Sequence, residues 1–292
     1  VFVDPADGRW LGARARAACC LEAEHVIPFV WALHHRLMLP GVWGWWFMGG
    51  IALLWLFDTF VGTYLTLPRH RPFWQKWQVA WKIKPQAGGY RRHLDLHRAG
   101  GLWCWLLVFV LAFSSVYLNL REELFKPVVS VFSTLTQPPA GAGADTAVSR
   151  PVIGFEQARR LANEEAERQG WTARTSGVSH WREPGIYLAL LWPSHSNRGL
   201  GLGEPMVYLD AYTGRVLQVT QPGKGSAGDV LVALQFPLHS GQIAGLTGRI
   251  VVALMGLLIA MLAVTGVVIW QRKRTARQPA GRGKSVKQAQ RP

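Results

Sequence analysis

Three apolar runs, near residues 41–66, 100–120 and 246–270, constrain this chain more than any other feature of it. Each is long enough to cross a hydrocarbon core, which takes about 20 residues at roughly 1.5 Å per residue. Inside a bilayer every backbone N–H and C=O must be satisfied within the protein, so such runs fold as helices. A single run would suit a buried helix of a soluble protein equally well. Three together, with tryptophans at their ends, indicate a membrane α-helical bundle with three spans.

The formal net charge of +15 raises the question of nucleic acid, and the placement of the charges answers it. Arg69, Arg71, Lys76, Lys82, Lys84, Arg91, Arg92 and Arg98 crowd the segment after the first run, and Arg272, Lys273, Arg274 and Arg277 follow the third. The positive-inside rule puts both segments on the cytoplasmic side. Trp74, Trp77 and Trp81 interleave with the lysines, as in an amphipathic segment lying on the inner leaflet rather than a nucleic-acid surface. Residues 1 to about 36 and about 121 to 240 are then outside. Beginning outside, with neither an initiator Met nor a signal peptide, the chain is expected to lack an upstream helix.

A repeat links the two ends of the chain. His35 and His239 are each followed by Gly at +6, +9 and +27: Gly41, Gly44 and Gly62 in one copy, Gly245, Gly248 and Gly266 in the other. Both copies lead into an apolar run, so the two imidazoles are expected at one depth, near the outer ends of two helices running in the same direction. Imidazole is a standard axial ligand of haem iron, and glycines let a helix or a flat macrocycle approach the backbone closely. Helix-capping interfacial histidines would be the structural alternative, with Pro237 in the first turn.

A second repeat lies outside the membrane. Val1-Phe2-Val3-Asp4-Pro5-Ala6-Asp7-Gly8-Arg9 resembles Val207-Tyr208-Leu209-Asp210-Ala211-Tyr212-Thr213-Gly214-Arg215, each reading as a strand entering a tight turn whose Gly takes positive φ. Phe155 to Gln169 has the spacing of an amphipathic helix ended by Gly170, and strand-like runs follow at Thr172–Trp181 and Ile186–Trp192. These make a small α+β module. The Pro-, Gly- and Ala-rich stretch from Gln137 to Ala147 reads as the linker to it, and Gln221–Gly228 as the return to the membrane.

Taken in order, Asp4-Pro5 with Gly8 and Leu11-Gly12, Leu33-His34-His35, Asp95-Leu96-His97-Arg98 with Gly101-Leu102-Trp103, Pro237-Leu238-His239-Ser240-Gly241, and Thr265-Gly266 with Trp270 resemble the bacterial PepSY-associated transmembrane proteins, which include membrane-bound ferric-siderophore reductases. The resemblance covers nearly the whole chain. It implies a bundle of four helices, the first of them, with a His-Arg motif like His97-Arg98, absent here. It also implies PepSY modules in the periplasm, haem b, two per complete protein, and electron transfer across the bacterial inner membrane to a ferric chelate or siderophore. The chain then divides into the end of a first PepSY-like module (1–20), a helix with the outer His motif (28–67), a basic loop (68–96), a second helix (97–122), a linker (123–150), the PepSY-like module (151–222), a third helix (236–271) and a basic tail (272–292).

His35 and His239 are the expected ligand pair for an outer haem. His34 is a neighbour that the family motif aligns equally well, but successive helical residues point about 100° apart, so only one of the two faces the same iron. His97 opens the second span from the other side and is the expected ligand of an inner haem, with Arg98 placed to pair with a propionate. Its partner would come from the absent helix, or from His93 or His70. Asp58, an ionisable group inside the first run at a cost of about 3 kcal/mol, is a further site residue, either a proton acceptor or an Asp hydrogen-bonded to a neighbouring helix. Trp43, Trp45, Trp46, Trp103, Trp105 and Trp270 could pack against porphyrin, with interfacial anchoring the default reading.

Other chemistry is not signalled. Cys19, Cys20 and Cys104 lack metal-ligand spacing, and His180 and His195, with no nearby Cys or carboxylate cluster of metal-ligand spacing, read as surface residues rather than a zinc site. There is no Gly-rich phosphate loop, nucleophile elbow or zinc-protease helix, and no flavin or nicotinamide domain, so a separate donor must supply electrons. Two rival readings remain at this point: a non-enzymatic membrane module whose PepSY unit binds a peptide or protein, and a haem subunit serving a partner oxidoreductase.

Overall fold

The structure, a computed structural model, describes residues 2–4, 6–14, 22–86, 88–141, 151–193 and 201–277. Cys19, Cys20, His195 and the second half of the Pro/Gly/Ala linker lie outside them. The chain forms two compact units, Val1–Trp55 with Leu111–Ile250 and Leu56–Val110 with Val251–Pro292.

The first unit contains the strands. β1 (Phe2–Val3) pairs antiparallel with β2 (Trp10–Gly12), and β3 (Ala173–Trp181), β4 (Ile186–Pro193), β5 (Met206–Asp210) and β6 (Val216–Thr220) form an antiparallel sheet in sequence order. The second repeat is exact at the turns. Asp4 N bonds Arg9 O and Gly8 N bonds Asp4 O, as Asp210 N bonds Arg215 O and Gly214 N bonds Asp210 O. Gly8 and Gly214 have φ of 73° and 74°.

The helix expected from Phe155 is present as Phe155–Arg168, closed by Gly170 at φ 71°. Its alanines, Ala158, Ala162 and Ala166, are fully buried against Tyr187, Leu191, Val207 and Leu209 of the sheet. Tyr187 satisfies its hydroxyl by donating to the Ile153 carbonyl at 2.9 Å. His180, expected at the surface, is half-buried and tilted over the Tyr187 ring at 4.8 Å.

The helices, numbered in chain order, are α1 (Ala23–Arg36), α2 (Trp43–Thr66), α3 (Phe73–Trp77), α4 (Gly89–Trp103), α5 (Trp105–Asn119), α6 (Lys126–Phe132), α7 (the Phe155–Arg168 helix), α8 (Ala227–Ser240) and α9 (Gly245–Arg277). α2 and the stretch Gln242–Arg277 are each long and apolar enough to cross a membrane, and α4 with α5 form a broken third candidate.

The apolar runs near 41–66 and 246–270 lie in unbroken helices, but each of the three longer helices expected around the runs is divided. Residues 28–67 are two helices, because the chain turns left-handed at Leu37 and Met38 and again at Gly41. Residues 236–271 are likewise divided, with positive φ at Gly241 and Gly245. The 97–122 helix begins earlier, at Gly89, and bends by 72° at Cys104. The bend closely follows Gly100-Gly101, the kind of pair that leaves a helix without side-chain support.

The histidine repeat specifies these breaks. Gly41 and Gly245, both at +6, have φ of 57° and 61°, which side chains other than glycine rarely adopt. At +9, a Cβ on Gly44 would lie 2.5 Å from Arg36 Cβ, and one on Gly248 would strike the Gly241 carbonyl. Each glycine therefore lets the long helix fold back against the end of the histidine-bearing one.

Candidate functional site

Two histidines in different units are held in the same way. In the first unit His239, near the end of α8, is half-buried, and its Nδ1 lies 3.0 Å from Ser114 Oγ on α5. Ser114 Oγ donates to the Leu111 carbonyl at 3.1 Å, and that carbonyl also takes a hydrogen bond from His239. In the second unit His97 Nδ1 on α4 lies 3.0 Å from the Leu262 carbonyl and 3.1 Å from Thr265 Oγ1 of α9. Thr265 Oγ1 donates to Met261 O at 2.7 Å.

In both places a leucine carbonyl and the hydroxyl three residues later partner the imidazole. At His97 the carbonyl can only accept, and at His239 the Ser114 hydroxyl proton is already given to Leu111, so in both rings Nδ1 is the donor and Nε2 is the nitrogen left for a ligand. That is the tautomer a metal-binding imidazole needs, and a backbone carbonyl on the far nitrogen is its usual support.

Close approach completes the seat of His97. A Cβ on Gly266 would lie 3.2 Å from His97 Cε1, so the +27 glycine makes room for the ring.

Around His239 gather two more imidazoles from α1. The His34 ring is 6.2 Å from the His239 ring and 5.5 Å from that of His35. His35 turns to indoles, stacking on Trp31 at 4.4 Å and meeting the edge of Trp45 at 5.7 Å. The structure thus brings together all three histidines expected at the outer site, with His34 as the ring recorded against His239. α1 and α8 lie outside the candidate spans. Burial first, then the neighbouring His34 and His35, push the His239 pKa down to about 4, with the bond to Leu111 acting in the opposite sense. His35 is lowered by burial and by His34. His239 is therefore neutral, and ligand-competent, at physiological pH.

The donor set fits a haem: in the first unit three imidazoles gather, with tryptophans beside His35, and in the second His97 has its Nδ1 engaged and a glycine against its ring. His239 with His34 or His35 would hold one such group, and His97 would contribute to another.

A family model described as the PepSY-associated TM region matches residues 1–273. The chain belongs to that family. Among curated proteins no match is found. Membership makes this a PepSY-associated membrane protein, in keeping with its long apolar helices.

Other expected residues of this PepSY-associated protein are placed differently. Arg98, expected beside a propionate, donates to Asp95 Oδ1 at 3.1 Å and to the Val79 carbonyl at 2.8 Å. Asp95 is fully buried, with Arg91 Nε 3.0 Å away, and accepts from Lys84 N at 3.3 Å. This cluster pins the basic segment to α4, as does Trp103, whose indole donates to the Trp81 carbonyl at 3.1 Å. His93 Nδ1 is buried and lacks a hydrogen-bond partner among the described residues, and His70 is exposed. Asp58 is exposed on α2.

Sequence reasoning missed Ser114, Leu262 and the role of Thr265. The signal was present as Leu-x-x-Ser at 111–114 and Leu-x-x-Thr at 262–265, but only a contact between distant helices gives that spacing meaning. Glu22, Glu24 and His25 also place their ligand atoms within 4.8 Å of one another at the start of α1, where His25 Nδ1 pairs with Glu22 at 3.0 Å. The two carboxylates are exposed, and the group reads as a local His25–Glu22 contact at the helix start.

Proposed function

We propose that this PepSY-associated protein binds haem in the bacterial inner membrane and delivers electrons to a ferric chelate of the siderophore class in the periplasm. The observation that carries this reading is the shared seat of His97 and His239, each partnered by a leucine carbonyl and the hydroxyl three residues on, with Nδ1 as the donor. Such duplication in two separate units is not required by packing. Haem bound there would supply one-electron reduction of ferric iron, which hard oxygen chelators hold far more tightly than ferrous iron.

The chain's own residues have defined tasks. Ser114 and Leu111 keep the His239 proton on Nδ1, and Thr265 and Leu262 do so for His97. Trp31 and Trp45 fix the plane of His35, and burial keeps His239 uncharged. The donor is a separate protein or membrane carrier.

The test is the absorption spectrum of the detergent-purified protein, oxidised and dithionite-reduced, with His239→Ala and His97→Ala beside it. Sharp reduced bands, weakened by each change separately, are expected. Mixing the reduced protein with a ferric siderophore should then reoxidise it. A colourless protein after haem-replete expression would sink the proposal and leave a peptide-binding module. A coloured protein that ferric chelates do not reoxidise would instead be the haem subunit of a partner oxidoreductase.

A further inference from the structure

The segment after α5 is helical where the sequence reads as a linker, and one face of that helix lacks cover. From Arg121 the chain makes a π-helical turn and runs into α6, Lys126–Phe132. Phe125 and Val129 are buried with Tyr117, against Leu231 and Val232 of α8. Val128, Val131 and Phe132 share a different face, and among the described residues they remain 50, 76 and 85 % exposed. At about 100° per residue Lys126 and Ser130 lie opposite that apolar face, with Lys126 Nζ donating to Glu122 Oε1 at 2.8 Å.

Two tryptophans fix the level of this helix. Trp43 and Trp46, edge to face at 5.6 Å and both exposed, open the candidate span α2, and tryptophan at the end of a span marks the headgroup region. The Trp46 indole donates to Glu123 Oε1 at 2.8 Å, and a Cβ on Gly49 would strike the Leu120 side chain. The turn leading into α6 therefore stands beside the first two turns of α2, at the depth of its tryptophans. An amphipathic helix at that depth buries its apolar face in lipid.

We propose that α6 is an interfacial helix: it dips Val128, Val131 and Phe132 into the boundary between headgroups and acyl chains at the Trp43 end of α2, and keeps Lys126 and Ser130 toward water. A second copy of the chain is the wrong occupant, because three side chains fall far short of the roughly 800 Å² per partner that a stable interface buries. Arg121, Glu122, Glu123 and Lys126 carry no net charge together, so the contact is with acyl chains and not with anionic headgroups. Leaflet, α6 and α8 are then packed in series, and α8 is the helix that carries His239 near its end. This inference stands whether or not the protein binds haem.

The test is electron paramagnetic resonance of the full chain in phosphatidylcholine vesicles, its cysteines replaced by Ala, with a nitroxide attached in turn to Val131→Cys, Phe132→Cys and Ser130→Cys. Oxygen concentrates among acyl chains and a charge-neutral, water-soluble nickel chelate stays outside them. The ratio of oxygen to nickel relaxation should therefore be severalfold higher at 131 and 132 than at 130. Equal ratios at the three positions would put the face in water and overturn the proposal. Probes at 131 and 132 shielded from both reagents would overturn it as well, because protein, a second copy or another partner, would then cover the face.

Discussion

Thr265 does two things with one hydroxyl: it donates to its own helix at Met261 and stands 3.1 Å from His97 Nδ1. Replacing it by Val preserves shape and removes only the hydroxyl. Loss of such an outer partner typically weakens metal binding 10- to 100-fold. On the proposed haem-binding function, Thr265→Val is expected to speed haem loss from the His97 site by about that factor, measured as transfer to apomyoglobin, whereas Thr265→Ser should release haem at close to the native rate. A spectrum and transfer rate unchanged in Thr265→Val would mean that the hydroxyl only packs. The histidines themselves were legible from sequence, since His is scarce among apolar residues and the glycine spacing matched. Ser114 and Thr265 were not, because hydroxyls are common in spans and back-bond to their own helix without further purpose.

At the scale of elements, the breaks between α1 and α2 and between α8 and α9 are set by backbone chemistry. A Cβ on Gly248 would meet the Gly241 carbonyl, so Gly248→Ala must push the two helices apart, while Gly256→Ala in the same helix meets nothing within 4 Å. The first change should destabilise the protein by about 1–3 kcal/mol, the usual range for overpacking, and loosen the His239 site. The second should be neutral or slightly stabilising in thermal denaturation. The glycine repeat was visible in sequence, but it reads equally as a surface for helix packing. Only the left-handed φ at Gly41 and Gly245 distinguishes a break from a smooth span.

The start of α8 is fixed by a capping box. Ser226 Oγ accepts from Asp229 N, and the Asp229 carboxylate accepts from Ser226 N, Thr136 N and Thr136 Oγ1. Burial alone would raise the Asp229 pKa, but these hydrogen bonds outweigh it and hold the pKa below normal. A depressed carboxylate contributes stability above its unfolded pKa and loses it as pH falls through the folded value. Asp229→Asn should thus lower stability by about 1 kcal/mol at neutral pH. The gap from the native protein should narrow below about pH 4; a gap independent of pH would assign the effect to shape.

For the whole molecule, the α+β module was the most legible part. Alternation, a tight-turn glycine and a strongly amphipathic helix are local signals, and α7 with its strands matches the sequence reading within a residue or two. The bend at Cys104 was not legible, because hydropathy averages over it: Gly89–Trp103 and Trp105–Asn119 qualify as a span only together. Sidedness follows from charge alone. Arg and Lys cluster after α2 and after α9, so the positive-inside rule predicts the turn at Thr213 outside and Lys76 on the cytoplasmic side. In a chain whose three cysteines are replaced by Ala, Thr213→Cys should react with a membrane-impermeant maleimide in spheroplasts, and Lys76→Cys only after permeabilisation. The reverse pattern would invert the topology and put the module on the cytoplasmic side, where no periplasmic siderophore could reach it. Labelling of both positions in intact spheroplasts would mean that the basic segment does not remain inside, and the outward delivery of electrons would then lose its basis in charge.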